Sequence, residues 1–432
     1  MRPVIPITPE RPGRPNTAVS EIGHAPVSMT QAARTPLPAS TIPGQLSGST
    51  VLSSLPPLSL YVHVPWCVRK CPYCDFNSHE LKGELPEAEY LAALQADLEQ
   101  ALPLIWGRSV VSIFIGGGTP SLLSAATLDA MLAMFRACLN LLPDAEITLE
   151  ANPGTAEASR FKDYAASGVN RMSLGIQSFN DHALKSLGRI HDAAQACAAI
   201  DMAQAAVNRI NLDVMFALPG QTPLLCEADL RQALSFGTGH LSLYNLTLEP
   251  NTVFAKYPPD VPSDDEAAVL QDLVAHTLAD AGFDRYEVSA YARAGQRCLH
   301  NLNYWEFGDY LGIGPGAHSK LSFHDRILRQ ARLKNPASWM AQVHQRDDSH
   351  LAQSEQVMPE DLPFEFMLNA LRLREGVSAA TFVERTGLPV ATITAALARA
   401  TGKGLLVDDP TRFQATDLGW RFLNDLQSEF LD

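Results

Sequence analysis

What this chain lacks narrows it first. No apolar run in its 432 residues approaches the roughly 20 needed to cross a bilayer, so an ordinary helical membrane protein is excluded. Cations are scarce: 33 Lys and Arg stand against 47 Asp and Glu, a net charge of −14. A nucleic-acid surface is normally basic, so no nucleic-acid partner is expected. Cysteine is sparse and odd in number, at seven, which argues against a secreted disulfide framework and for reduced thiols in a cytoplasmic protein. The start of the chain has no apolar h-region and is not a secretory signal. It holds 11 of the 30 prolines within its first 58 residues. Residues 1–57 are therefore expected to be a disordered, Pro-rich extension, with Met29 an internal alternative start.

What is present reads as alternating strands and helices. Strand-like runs at 59–65, 110–117, 146–152, 169–177, 209–218 and 240–249 are separated by helical patterns at 86–102, 125–139, 156–167, 192–206, 223–235 and 264–281. Asp192 and Asp264 are expected as N-caps. Six β–α units in series imply an α/β fold with a parallel sheet and right-handed crossovers. The alternation stops after Phe283, where 283–292 is expected as an edge strand. The domain reading is a barrel over 58–290, a Gly-rich connecting region over 291–360 and a small α+β domain over 361–432. That last stretch reads as three short helices, a wing-like hairpin and a final helix, resembling a winged helix. Its helix at 390–401 offers only Arg399 as a cation, too little for a recognition helix, so packing or partner contact is expected instead.

The chemistry centres on Cys67, Cys71 and Cys74, spaced C-x3-C-x2-C directly after the first strand. Three thiolates so close suit one cubane iron–sulfur cluster and leave one iron open. Zinc is the rival, with His79 as a fourth ligand. In a parallel barrel, ligands collect at the carboxyl ends of the strands, and the other singular residues fall there. Gly116, Gly117, Gly118 and Thr119 follow strand 2, either as a tight turn or as a close approach to ligand. Glu150 ends strand 3 and needs a partner if buried. Gln177 ends strand 4, Arg189 lies in the next loop and Asp213 sits in strand 5. His300-Asn301-Leu302-Asn303-Tyr304-Trp305 can be read as a buried polar turn with aromatic packing, or as an imidazole with two ring faces for haem.

These residues and their order, including YVHVPWCVRKCPYCDFNSH, FIGGGTPSLL, LEANPG and HNLNYWEFGDYLGIGPGAHS, resemble the radical S-adenosylmethionine superfamily and its coproporphyrinogen dehydrogenase-like group, over roughly residues 58–432. The resemblance implies an open, partial (β/α)6 barrel. It implies a [4Fe-4S] cluster on Cys67, Cys71 and Cys74, with S-adenosylmethionine chelating the open iron. It places Tyr61, Tyr73, Gly117, Gly118 and Thr119 around that cofactor, and Glu150 is expected to join them from its own place at the end of an apolar strand. Gln177, Arg189 and Asp213 match positions around a second S-adenosylmethionine or a substrate. Oxidases of the group carry a further cysteine where this chain has Phe76. The H-N-x-x-Y-W run instead matches the group's haem chaperones, implying haem as cargo near His300, Tyr304, Trp305 and His318. The partners so implied are haem-accepting apoproteins, respiratory ones among them, a reductant protein, and the membrane as a peripheral contact. Coproporphyrinogen oxidation is the alternative activity.

Overall fold

The apolar runs become neighbours in one sheet. The structure, a computed structural model, describes residues 51–154 and 158–431. Most of the Pro-rich extension lies outside the described residues. Its last part does not: the Leu52 amide donates to the His324 carbonyl at 2.9 Å, and the Pro57 carbonyl accepts the Asp309 amide at 2.9 Å.

The strands are β1 (Leu58–Val64), β2 (Ser109–Gly117), β3 (Asn140–Ala151), β4 (Arg171–Gln177), β5 (Arg209–Phe216) and β6 (His240–Asn245). They run parallel in chain order, with helices in the crossovers: α1 (Glu87–Ala101), α2 (Ala125–Cys138), α3 (Phe161–Ala166), α4 (Ala193–Gln204), α5 (Pro223–Ser235) and α6 (Asp264–Asp280). Asp192 caps α4 as expected, in a capping box with Gln195. At α6 the cap is Ser263 rather than Asp264, because Ser263 and Glu266 satisfy each other's backbone amides.

The sheet continues past this core. β7 (Asp284–Arg285) and β8 (Ala290–Ala292) add antiparallel beside β6. The region 291–360, read from the sequence as a connection, contributes helix α7 (Leu299–Trp305) and strands β9 (Asp309–Ile313), β10 (His318–Ser322), β11 (Ile327–Arg332) and β12 (Leu351–Gln356). β9 pairs parallel to the free side of β1, and β10 to β12 follow antiparallel. The twelve strands run in the order β12-β11-β10-β9-β1-β2-β3-β4-β5-β6-β8-β7 and end open at both sides.

Strand alternation sorts the two faces. Leu58, Leu60, Val62 and Val64 of β1 pack outward into the large apolar cluster shared with the helices. Ser59 and His63 alternate inward and are buried, as are Ser112, Thr148, Ser173 and Asn211 on the following strands. The barrel interior is thus polar, which suits a binding site more than a packed core. The C-terminal residues build their own core around Phe366, Phe382 and Phe413. Three helices, Leu362–Ala370, Ala379–Thr386 and Thr394–Gly402, meet a ribbon of Val377–Ser378 and Arg412–Phe413. Arg399 there pairs with Glu429 at 3.3 Å, so its charge is already matched.

Candidate functional site

The cysteine loop is held at both ends. Trp66–Cys67 pairs with His79–Glu80, and the His79 amide donates to the Pro65 carbonyl at 2.7 Å. Inside the loop the Cys74 amide closes a turn on the Cys71 carbonyl at 3.1 Å, and the Pro72 carbonyl accepts the Phe254 amide at 3.0 Å. Gly188, at φ +68°, lets the next loop approach: a Cβ there would sit 2.8 Å from Pro72 Cδ.

All three thiols are free and half-buried, and they line a cleft at the carboxyl ends of the strands. Burial pushes Cys67 up to about 11 against a favourable hydrogen bond from Thr119, so its thiolate needs a nearby cation. One ion would draw three sulfurs to within roughly 3.8 Å of one another, from Zn–S bonds of ~2.3 Å in a tetrahedron. Among the described residues, the set of three ligand atoms lying within 4.8 Å of one another is Glu146, Cys298 and His300, not the loop cysteines. At least one pair of loop sulfurs therefore lies more than 4.8 Å apart, wider than the edge of a zinc tetrahedron. His79, the candidate fourth zinc ligand, bonds Asn77 Oδ1 at 3.2 Å and does not line the cleft.

The glycine run after β2 is required by a close approach. Gly117 has φ +116°, and a Cβ on it would meet the His63 ring at 2.7 Å. That ring is fixed from both sides. Tyr61 Oη lies 2.7 Å from Nδ1, and Nε2 lies 2.9 Å from the Asn77 carbonyl. A carbonyl only accepts, so Nε2 carries the proton and Nδ1 accepts from Tyr61. The amides of Gly118 and Thr119 donate to the Val64 and Trp66 carbonyls, both at 2.7 Å, binding the end of β2 to the root of the cysteine loop. The Gly117 amide instead donates to Glu150 Oε2 at 3.1 Å.

Glu150 is the unusual acid of the cleft. Burial raises its carboxyl to about 8, with the charge of Asp213 adding to the shift and the Gly117 amide opposing it. Asp213 itself accepts from Ser173 and Asn211, both at 2.8 Å. Gln177, held at φ +69°, accepts from the Tyr244 hydroxyl at 2.7 Å. Arg189 donates to Asn152 at 2.6 Å, to the Gly175 carbonyl at 2.7 Å and to Cys71 Sγ at 3.7 Å. Its Nε is buried without a partner. Tyr73 lies beside Cys71 and packs against Phe254.

The cleft therefore gathers Cys67, Cys71, Cys74, Tyr73, Gly117, Gly118, Thr119, Glu150, Gln177, Arg189 and Asp213. Tyr61 does not line it and acts behind Gly117 through His63. Sequence reasoning missed Asn152, Tyr244 and Ser173, which also line it. Asn152 stood in LEANPG, two residues past Glu150 and so on the same strand face, and it joins Arg189 to Thr119.

The residues read as haem contacts lie elsewhere. His300 is fully buried near the start of α7. Its Nδ1 lies 2.9 Å from Glu146 Oε1, and its ring stacks on Phe114 at 4.3 Å. Of the two readings of this motif, the buried one describes His300 here: no ring nitrogen faces either large cleft. Tyr304 and Trp305 line a second cleft beside the C-terminal domain. His318 is half-buried on β10 and lines neither; burial and the charges of Lys334, Arg329 and Arg332 push it down to about 4.

This architecture has counterparts. The family described as the Radical SAM superfamily matches residues 61–231, and the HemN C-terminal domain matches residues 357–422. A protein named heme chaperone HemW from Escherichia coli (strain K12) is 48% identical over 379 residues, spanning 87% of this chain and 99% of that protein. Heme chaperone HemW from Haemophilus influenzae is 46% identical over 386 residues, spanning 88% and 99%. Coproporphyrinogen III oxidase (HemN) from Escherichia coli, described as a radical SAM enzyme, superposes with a TM-score of 0.75 at 24% identity, covering 87% of this chain and 90% of that one. With HemW matched over nearly its full length and the cysteine cleft in the position the fold dictates, the chain belongs to the HemW family of radical SAM proteins.

Proposed function

We propose that this protein is a haem chaperone. It binds haem, holds a [4Fe-4S] cluster with S-adenosylmethionine beside it, and passes haem to acceptor apoproteins, respiratory ones among them. The observation that carries the reading is the near-complete span of relatives named heme chaperones, at up to 48% identity. The cleft supports the cofactor half. Cys67, Cys71 and Cys74 supply three thiolates, and Arg189 places a cation 3.7 Å from Cys71. Gly117 and Gly118 let the end of β2 close on the His63 ring and the Trp66 carbonyl, so that bare backbone forms the cleft wall beside the thiolates. Glu150 and Asp213 answer a cationic or hydroxylated ligand. Cys67, Cys71 and Cys74 would hold the cluster, which when reduced could supply one electron to the sulfonium of the adjoining cofactor.

Coproporphyrinogen oxidation is disfavoured by one residue. Phe76 lines the cleft where oxidases of the group carry a further cysteine. The expected location is the cytoplasm, with a reductant protein serving the cluster and peripheral contact at a membrane during delivery. Among the described residues no helix is long and apolar enough to cross one.

The test is anaerobic reconstitution followed by haem titration, transfer to an apoprotein and turnover with coproporphyrinogen III. About four irons per chain, haem uptake, haem transfer and no porphyrinogen product are expected. Cys71→Ala should lose the cluster's visible absorption while keeping the barrel's circular dichroism. Full cluster retention in Cys71→Ala, or catalytic formation of protoporphyrinogen IX by the wild type, would overturn this function.

A further inference from the structure

The second cleft lies where the sheet extension meets the C-terminal domain. Its walls are aromatic: Tyr304, Trp305, Phe307 and Tyr310 on one side, Trp420 and Phe422 on the other. Its charge runs against that of the whole molecule. In a chain of net charge −14, this cleft gathers Arg285, Lys320, Arg329, Arg372 and Arg421 against Glu365 and Asp425.

Two of those cations are committed internally. Lys320 pairs with Asp309 at 2.9 Å, and Arg329 pairs with Glu365 at 2.6 Å. The others are less fully matched. Among the described residues Arg285 meets no carboxylate: its hydrogen bonds go to the Val288 carbonyl, and its guanidinium lies over Trp420 at 4.8 Å. Arg372 pairs with the buried Glu287 at 3.2 Å and lies over Trp305 at 4.2 Å, with its Nε buried and unpartnered. The Trp305 indole N–H is likewise buried without a partner. Arg421, itself exposed, meets the exposed Asp272 at 3.2 Å and lies near Asp417. Flat ring faces, the Arg285 guanidinium without a carboxylate, the solvent-exposed pair of Arg421 and an orphaned indole donor together describe a ligand that is planar, aromatic and anionic.

We propose that this cleft, rather than the buried His300, receives the tetrapyrrole, held by its ring faces and its propionates. The assignment rests on the haem-chaperone reading and gives it a location apart from the iron–sulfur cleft. Among the described residues no histidine, cysteine or methionine lines the cleft. The phenols there are Tyr304 and Tyr310, and Tyr310 already accepts from Arg329 at 2.7 Å. Binding therefore does not depend on a histidine–iron bond, and metal-free protoporphyrin IX should bind nearly as well as haem.

The test titrates the full-length protein with haem, protoporphyrin IX and protoporphyrin IX dimethyl ester, by absorbance and by tryptophan quenching. Wild type should bind the first two with affinities within a few-fold of each other. The ester and the double variant Arg285→Gln/Arg421→Gln should each show binding at least tenfold weaker. His300→Gln should leave the haem spectrum unchanged. Haem binding without protoporphyrin binding, or equal binding of the ester, overturns the cleft assignment and leaves the chaperone reading standing. Failure of the wild type to bind either porphyrin ends both. The ester comparison needs no variant, so a misfolded double mutant cannot hide the answer.

Discussion

Two glutamates four residues apart on β3 face the same barrel interior, and their surroundings drive them in opposite directions. Burial alone would raise the Glu146 carboxyl. The His300 hydrogen bond and the Arg171 and Arg209 guanidiniums outweigh burial and hold it well below the ordinary carboxylate range. The Leu299 and His300 amides, at the start of α7, also donate to it, at 3.1 and 3.3 Å, as anions do at helix N-termini. Glu150 has the Gly117 amide and the repulsion of Asp213, and rises to about 8. The floor of the barrel is thus completed by its own side chains. Its mouth is left with a neutral acid that a cationic ligand would ionise, and that is what makes it a binding end.

The most severe way to break this contrast is Glu146→Gln. It leaves Arg171, whose Nη1 and Nη2 already lack partners, buried without its counter-charge. Removing one member of a buried pair costs about 3–5 kcal/mol, read as a lower urea midpoint with unchanged slope. Stability equal to wild type would mean that the floor is not held by charge. Next in size, Glu150→Gln should fold normally yet bind S-adenosylmethionine about 1.5–3 kcal/mol more weakly, the worth of one charged hydrogen bond. Calorimetry on the reconstituted protein decides it, and undiminished affinity would remove Glu150 from the site.

The smallest effect sharpens the comparison through pH. A carboxyl raised in the fold binds its proton more tightly there than in the unfolded chain. Its contribution is complete below the unfolded pKa of about 4.3 and is lost as pH rises through the folded value of about 8. The melting temperature of ligand-free wild type should therefore fall relative to Glu150→Gln between pH 5 and pH 8. The difference should stay at a few degrees, because the open cleft admits water that screens the charge. Parallel melting profiles would place Glu150 in an ordinary carboxylate state.

The sequence displayed the repeating units better than their company. Period-two alternation and apolar helix faces mark each β–α unit locally, so the six parallel strands and the helix at Pro223–Ser235 were legible. β3 begins at Asn140, six residues before the run that suggested it, because Ser109 and Val110 pair with Asn140 and Leu141. Such pairing is set by a partner strand and leaves little trace in the residues themselves. Strands β9 to β12 escaped for the same reason: β10 to β12 carry lysine, arginine and glutamine among their apolar residues, and their register comes from one another. In the site, spacing exposed the cysteines and the glycine run. Glu146 was passed over, although it shares the period-two face of Glu150. The sequence left His300 open between a buried polar turn and a haem contact, because a histidine's partner cannot be seen from one stretch of chain, and that partner lies 154 positions earlier.

The pairing of β1 with β9 also sets the order in which the molecule can be finished. Leu58 is hydrogen-bonded between Val110 on one side and Asp309 on the other. At synthesis rates of about 5–20 residues per second, the far flank of β1 stays an open strand edge for roughly 10–50 s after it leaves the ribosome. The cysteine loop grows from that strand and is emitted with it. Gly314, which packs against the His63 backbone, and the Pro315 carbonyl, which accepts from Asn77 at 2.9 Å, arrive only with the segment just after β9. The nascent chain therefore presents its three thiols on an incompletely braced loop for tens of seconds. The brace is complete once residues 309–315 have emerged, and a chain cut before residue 309 would leave β1 an open edge and the cysteine loop without its second support.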